Sequence, residues 1–234
     1  YVTGNTSSVD FPTTPGSFAT SKPYPYSYYT CAFVAKFSRS PSWALSYSTY
    51  IGAADSNTTY ANGIAVDAAG QAVVVGNTYQ YSFPTTPGAL KRVKNGSYES
   101  DLFLIQLNAS GNSMVYSTLL GGTNNETAGG VALDANGAAY LTGATVSAYY
   151  PTTPGAFQQT NPRGTNTSTY IDPGVVSKID LMSPTSCKRC RCVMRNRGVL
   201  EMISMRTMPS SWRRRWHCAC CQGILSAGVA AGPG

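Results

Sequence analysis

Short apolar runs interrupted by polar positions recur along most of the chain, each closed off by Gly, Asn, Pro or Asp. Four in succession are "FVAKF" (33–37), "ALSYSTYIG" (44–52), "GIAVD" (63–67) and "AVVVGNT" (72–78). Runs of Val, Ile, Tyr and Thr with such boundaries suit pleated, half-buried strands. The first two are joined by a polar turn and the last two by "AAGQ", which becomes "ANGA" in the next copy. Asn136-Gly137 predicts a two-residue type I′ hairpin turn, because Asn and Gly tolerate positive φ. Strand follows strand in this way about ten times, which predicts an all-β fold.

The runs belong to a longer repeat. "YVTGNTSSVDFPTTPGSF" (1–18) matches "VVVGNTYQYSFPTTPGAL" (73–90) and "YLTGATVSAYYPTTPGAF" (140–157), at offsets of 73 − 1 = 72 and 140 − 73 = 67 residues. Between them "FVAKFSRSPSWALSYSTYIG" (33–52) answers "FLIQLNASGNSMVYSTLLGG" (103–122), and a third copy begins as "VVSKIDL" (175–181). Four antiparallel strands per unit are what one blade of a β-propeller requires. The expected architecture is a partial β-propeller of about two and a half four-stranded blades, with each full unit contributing the four runs from 33 to 78 or their equivalents.

The Pro-rich phrase has a physical reading of its own. Two prolines fix φ and remove two backbone donors, so the phrase cannot continue a ladder and leaves the sheet. Pro-Gly at 15–16, 87–88 and 154–155 predicts a turn with Gly at positive φ. A stiff exit loop then recurs on every blade, followed by a variable excursion such as "KPYPYSYYT" (22–30) or "QQTNPRGTNTSTYIDPG" (158–174). Loops repeated per blade fall on one face, which becomes the candidate binding surface.

"GIAVDAAGQAVVVGNT", "FPTTPGAL" and "YSTYIG" together resemble the bacterial β-propeller repeat family labelled SBBP, over roughly residues 1–182. The resemblance implies a propeller blade within a long exported or surface-attached bacterial protein, hence an extracellular or cell-surface location. It transfers no catalytic residue. Propellers generally close with about four to eight blades, so the chain is expected to be a piece of a larger protein whose remaining blades are its nearest partners.

Charge alters this picture only at one end. The net charge of +7 suggests nucleic acid until it is divided. Residues 1–183 hold eight Lys/Arg against nine Asp/Glu, whereas residues 184–234 hold nine Lys/Arg against Glu201 alone, six of the seven Cys, and His217. The chain therefore reads as a repeat region, 1–183, and a Cys/Arg-rich tail, 184–234. Cys187, Cys190, Cys192, His217, Cys218, Cys220 and Cys221 offer zinc ligands, but recognised zinc modules use two well separated pairs. Arg189, Arg191, Arg195, Arg197, Arg206 and Arg213 to Arg215, with Trp212 and Trp216, resemble a nucleic-acid patch in composition without any organising motif. The preferred reading is a shifted frame. The repeat demands "YST.LGG" soon after "VVSKIDL", and a one-base shift of Gly198 to Thr207 permits a "GSGDD..AN" continuation. An irregular or disordered tail without function is the expectation.

Candidate chemistry in the repeat region is sparse. Asp67 and Asp134 occupy the same repeat position and are read as turn caps that accept backbone N–H groups two residues on. Cys31 is read as a small buried apolar residue, and no His accompanies it for nucleophilic catalysis. Asn-x-Ser/Thr triplets at Asn5, Asn57, Asn95, Asn108, Asn125 and Asn166 go unused in a bacterial source. The stretch "YPYSYY" (24–29) offers tyrosines for a sugar or peptide site. No run of about 18 apolar residues suggests a membrane helix. The functional expectation is a non-enzymatic scaffold or binding module with a protein or carbohydrate ligand on the loop face. No catalytic, metal or cofactor residue is assigned, and nucleic acid is not the expected partner. A propeller enzyme of lyase or hydrolase type, with its catalytic residues on other blades, is the alternative.

Overall fold

Alternation of apolar and polar positions leaves these segments only one way to bury a face, and every regular element among the described residues is a β-strand. The computed structural model describes residues 1–39, 41–96, 98–161, 172–181, 191–196 and 199–204. In chain order the strands are β1 (Val2–Thr6), β2 (Cys31–Ser38), β3 (Ala44–Ile51), β4 (Thr59–Val66), β5 (Ala72–Thr78) and β6 (Asp101–Leu107). β7 (Met114–Leu120), β8 (Glu126–Leu133), β9 (Ala139–Thr145), β10 (Gly174–Ile179), β11 (Arg191–Asn196) and β12 (Val199–Ser204) follow. All pairings are antiparallel.

The strands assemble into sheets in the orders β1-β2-β3, β4-β5-β6-β7 and β8-β9-β10, with β11-β12 apart. This corrects the unit read from residues 33 to 78. "FVAKF" and "ALSYSTYIG" close the first sheet, whereas "GIAVD" and "AVVVGNT" open the second. The ladder continues across the long excursion 79–100, where Thr78 pairs with Asp101, and it breaks at the short connector 52–58. Loop length gives no warning of this, because loop closure entropy rises only slowly with length.

The middle sheet is covered on both faces, and its two central strands, β5 and β6, are buried at every position. Side chains of successive residues point to opposite sides. Ala72, Val74, Phe103, Ile105 and Leu107 pack with Ala32, Val34, Tyr47 and Ile51 of the first sheet. Val73, Val75, Leu102 and Leu104 pack with Ala128, Ala139, Leu141 and Ile179 of the third. The outer sheets lack a neighbour on one side among the described residues, and β9 alternates buried and exposed accordingly. Contact between sheets concentrates at the strands that come first in each sheet, β1 with β4 and β4 and β5 with β8. Asn5 ties the first junction, donating to Ala61 O (3.3 Å) and accepting from Ala61 N (2.7 Å) at the β4 bulge.

The glycine of "VVVGNT" is a packing requirement. A Cβ on Gly76 would meet the Phe103 ring at 2.7 Å and collide with Tyr60 O, and one on Gly4 would meet the equivalent Phe33 ring at 2.9 Å. Gly76→Ala is expected to cost about 1–3 kcal/mol by overpacking, read as a lower urea midpoint with an unchanged m-value.

The turns fit their sequence in one case and shift in the other. Gly16, Gly88 and Gly155 have φ of 77°, 85° and 81°, and Ser17, Ala89 and Ala156 N–H groups close i to i+3 turns across each Pro-Gly. The β8–β9 turn does not centre on Asn136-Gly137. Gly137 N–H bonds Asp134 O at 2.9 Å, closing the turn across Ala135-Asn136, and Gly137 follows it at φ 84°. Asp134 causes the shift: its Oδ1 accepts from the N–H groups of Asn136 and Ala138, both at 2.9 Å. Asp67 does the same for Ala69 and Gln71. Both aspartates therefore cap turns.

Residues 182–234 form a separate unit. Its described part is the antiparallel pair β11-β12, with Arg191 opposite Ser204 and Asn196 opposite Val199. Against the expectation of an irregular tail, the described stretches "RCVMRN" and "VLEMIS" pair as strands, and they carry the Val, Ile, Leu and Met that suit one; the rest of the tail lies outside the described residues. Cys192, Arg191 and Arg195 lie on β11. Cys187, Cys190, His217, Cys218, Cys220, Cys221, Arg189, Arg197, Arg206, Arg213 to Arg215, Trp212 and Trp216 lie outside the described residues. Among the described residues no fourth strand pairs with β10.

Candidate binding face

Antiparallel order places the excursions β1–β2, β5–β6 and β9–β10 at the same end as the connectors 52–58 and 121–125. The Pro-rich phrase leaves the ladder, as its prolines require, and then docks on the free edge of the outermost strand. Thr14 N–H bonds Ser48 O at 3.1 Å, and Ser48 N–H bonds Thr14 Oγ1 at 3.1 Å. Thr86 and Ser117 repeat both bonds in the middle sheet, at 3.1 and 2.9 Å. A Tyr50 N–H to Ala19 O bond and a Leu119 N–H to Lys91 O bond extend the cover. Edges so occupied are unavailable for pairing with another chain.

Each excursion is then held by a residue seven positions after the second proline: Lys22, Lys94 and Asn161. Lys22 is buried and donates to the carbonyls of Ser7 (2.8 Å), Tyr26 (2.7 Å) and Tyr29 (2.6 Å). Lys94 is buried likewise and donates to Gly96 O and Glu99 O, both at 2.6 Å. Burial pushes its pKa down. Asn161 donates to Ser147 O at 2.8 Å. A buried cation among carbonyls satisfies groups that would otherwise be orphaned in a loop. Sequence reasoning missed these residues, although their constant spacing was visible.

The tyrosines of 24–29 form an ordered cluster, with ring centroids from 4.7 Å (Tyr28–Tyr29) to 5.5 Å (Tyr26–Tyr28). Tyr24 stacks on both Tyr26 and Tyr29. The excursion abuts the connector 52–58 through Thr59 N–H to Thr30 O (2.9 Å). On its other side the connector is gripped by buried Gln80, which donates to Ala53 O (2.9 Å), Asp55 O (3.3 Å) and Asn57 O (3.1 Å). Here Asp55, Ser56, Asn57, Tyr79, Tyr81 and Tyr98 line an open depression of about 320 Å³. One connector therefore runs between two tyrosine-bearing loops.

A buried charged cluster underlies the second connector. Lys91 Nζ lies 2.6 Å from Asp101 Oδ2 and donates to Gly121 O at 3.0 Å. Glu126, fully buried, accepts from Thr145 Oγ1 at 2.7 Å through Oε1. Its Oε2 has no hydrogen bond of good geometry, although the Ser147 hydroxyl and the Gly122 N–H act on the carboxyl group. A Cβ on Gly121 would strike both carboxylates, so they share one small space. Burial raises both pKa values, and Lys91 only partly offsets this for Asp101. The first junction puts Cys31, Thr59 and Gln80 at the equivalent places, with Thr59 Oγ1 donating to Gln80 Oε1 at 2.8 Å. Cys31 is buried against Gly52, as a small apolar residue would be.

The acid cluster gives a signed prediction. Between the ordinary Glu pKa of about 4.3 and the raised folded value, the folded chain binds more protons than the unfolded one. Stability there falls as pH rises. Glu126→Gln keeps the acceptor for Thr145 and removes the charge. It is expected to stabilise the fold at pH 7 by about 1 kcal/mol and to flatten the pH dependence of the urea midpoint between pH 4 and 7. A destabilised variant with the parent's pH slope contradicts this.

Among the described residues, no group of three or more His, Cys, Asp or Glu is arranged to hold a metal ion, and no helix is long and apolar enough to cross a membrane. Compared with known proteins, the chain matches no family model and no curated sequence.

Proposed function

We propose that residues 1–181 are successive blades of a β-propeller of the SBBP repeat type, and that they serve an exported bacterial protein as a non-enzymatic binding scaffold. Three observations support the architecture: the strand order of the four-stranded middle sheet, the face-to-face burial of that sheet, and the concentration of inter-sheet contact at the strands that come first in each sheet. A wedge of this kind is what radial repetition requires. The observation that carries the functional reading is the division of labour at the loop end. Lys22, Lys94, Gln80, Lys91 and Asp101 are committed to loop architecture, while tyrosines face solvent. Tyr26, Tyr28, Tyr81, Tyr98 and Tyr149 are all exposed, and Tyr provides contact area at small entropic cost. The ligand is a protein or carbohydrate held at this end.

The test is retention on mixed glycan and peptide arrays, followed by mass spectrometry of the recovered ligand. A ligand retained and recovered chemically unchanged is the expected result. Recovery of shortened or unsaturated products overturns the scaffold reading in favour of a lyase or hydrolase. The shifted-frame reading of the tail is tested separately by nucleotide sequencing from codon 175 onward. A one-base correction is expected to restore the fourth strand that β10 would pair with; an intact frame overturns it.

A further inference from the structure

The depression beside the first connector has a composition that selects among ligands. Its walls carry three tyrosines, and Tyr98 is 86% exposed, so an apolar ring face stands open to solvent. Its floor is polar and already oriented. Asp55 Oδ2 accepts from both Ser82 N (2.8 Å) and Ser82 Oγ (2.9 Å), which fixes the carboxylate. Asn57, whose Oδ1 accepts from Thr58 N–H at 3.0 Å, lines the depression beside it. Gln80 pins the backbone of the same connector at three carbonyls, so the polar groups sit on a braced segment.

Charge narrows the choice from both sides. The Lys94 ammonium lies 4.9 Å from the centre of the Tyr81 ring and within the electrostatic reach of the Asp55 carboxylate. The two charges offset each other, so neither an anionic nor a cationic ligand gains from a net charge at the depression. An open depression of about 320 Å³ takes a sugar ring or two. A pyranose offers what remains: an apolar C–H face for a Tyr ring and neutral hydroxyls for carboxylate and amide groups.

We propose that Asp55, Asn57, Tyr79, Tyr81 and Tyr98 form a subsite for a neutral hexopyranose of an oligosaccharide. The assignment rests on the reading of the loop end as a binding face and deepens it by naming the ligand class and the place. The site belongs to the middle sheet alone, because the third repeat has Val146 and Ala148 where Tyr79 and Tyr81 stand, and the first has Ser7 and Val9.

Saturation-transfer NMR on the full chain tests it, with methyl glycosides of glucose, galactose, mannose and N-acetylglucosamine as probes, and choline and glucuronate as charged controls. At least one neutral glycoside is expected to receive saturation. Tyr98→Ala is expected to weaken it about tenfold and Tyr98→Phe to retain it, because the ring face and not the hydroxyl carries the contact. Tyr98 is so exposed that its truncation leaves folding intact, which a thermal melt checks. Tyr28→Ala, in the other tyrosine cluster, is expected to change nothing. Absence of transfer to every neutral probe overturns the subsite, as does preference for choline or glucuronate. Unchanged binding in Tyr98→Ala, or loss in Tyr28→Ala, also overturns it while leaving the loop end a binding face. Chemical conversion of a bound glycoside instead overturns the scaffold reading and leaves the subsite standing.

Discussion

A Phe103→Ala variant is expected to lose about 3–5 kcal/mol of stability, a large share of the roughly 5–15 kcal/mol that holds a domain folded. Phe103 is fully buried at the centre of β6, on the face turned to the first sheet. Its ring stacks on Phe83 at 4.7 Å between centroids and covers Gly76. Truncation loses the transfer free energy of the ring and leaves a cavity that Gly76 cannot fill, since it has no side chain to move. The neighbours are strands bonded on both edges, so collapse into the void is resisted. The check is urea unfolding followed by circular dichroism and tyrosine fluorescence. A loss below about 1.5 kcal/mol would mean that the two sheets close over the gap. Gly76→Ala made together with Phe103→Ala should cost less than the sum of the two by only the ring-contact part, because the collision of the added methyl with Tyr60 O remains.

The second large effect is expected at Lys91. Lys91→Met removes the ammonium that neutralises Asp101 and bonds the carbonyl of Gly121, while its apolar stem is kept. What remains is two buried carboxyl groups, Asp101 and Glu126, in one small space, with Lys94 the other cation acting on Asp101 among the described residues. Breaking a buried pair from one side typically costs about 3–5 kcal/mol. Both folded-state pKa values already lie above the ordinary range, and loss of the cation raises them further. The variant's deficit is therefore greatest at neutral pH and shrinks as pH falls toward the unfolded-state values near 4. Urea midpoints at pH 7 and pH 4.5 check the sign. Lys91→Met combined with Asp101→Asn should recover most of the loss at pH 7. A deficit equal at both pH values would assign it to packing and the carbonyl bonds, not to charge.

Much of the fold was legible in the chain because strand formation is local. Alternating Val, Tyr and Thr positions, Pro-Gly turns and the 72- and 67-residue offsets locate ten strands and one repeated exit loop, and the structure keeps each of them. The turn caps were legible for the same reason, since Asp67 and Asp134 bond N–H groups two and four residues away. The candidate site was legible only in residue type. Tyrosines at 24–29 marked the loop end, but Tyr79, Tyr81 and Tyr98 are scattered in sequence and meet Asp55 and Asn57 through tertiary bonds, those of Gln80 and Ser82 to the connector.

Sequence alone determined the element type, the repeat and the positions of the Pro-Gly turns, because these depend on propensity, side-chain period and the φ angles that Pro and Gly allow. Tertiary structure decided which hairpins share a sheet. A ladder is joined by backbone bonds that every residue offers equally, so residues 33–78 read as one unit and fold as halves of two. It also decided the uses of Thr14 and Thr86 on the outer strand edge, and of Lys22 and Lys94 inside the excursions. A hydroxyl or an ammonium gains its role from the carbonyl brought to it, and that carbonyl comes from chain that the local pattern does not connect.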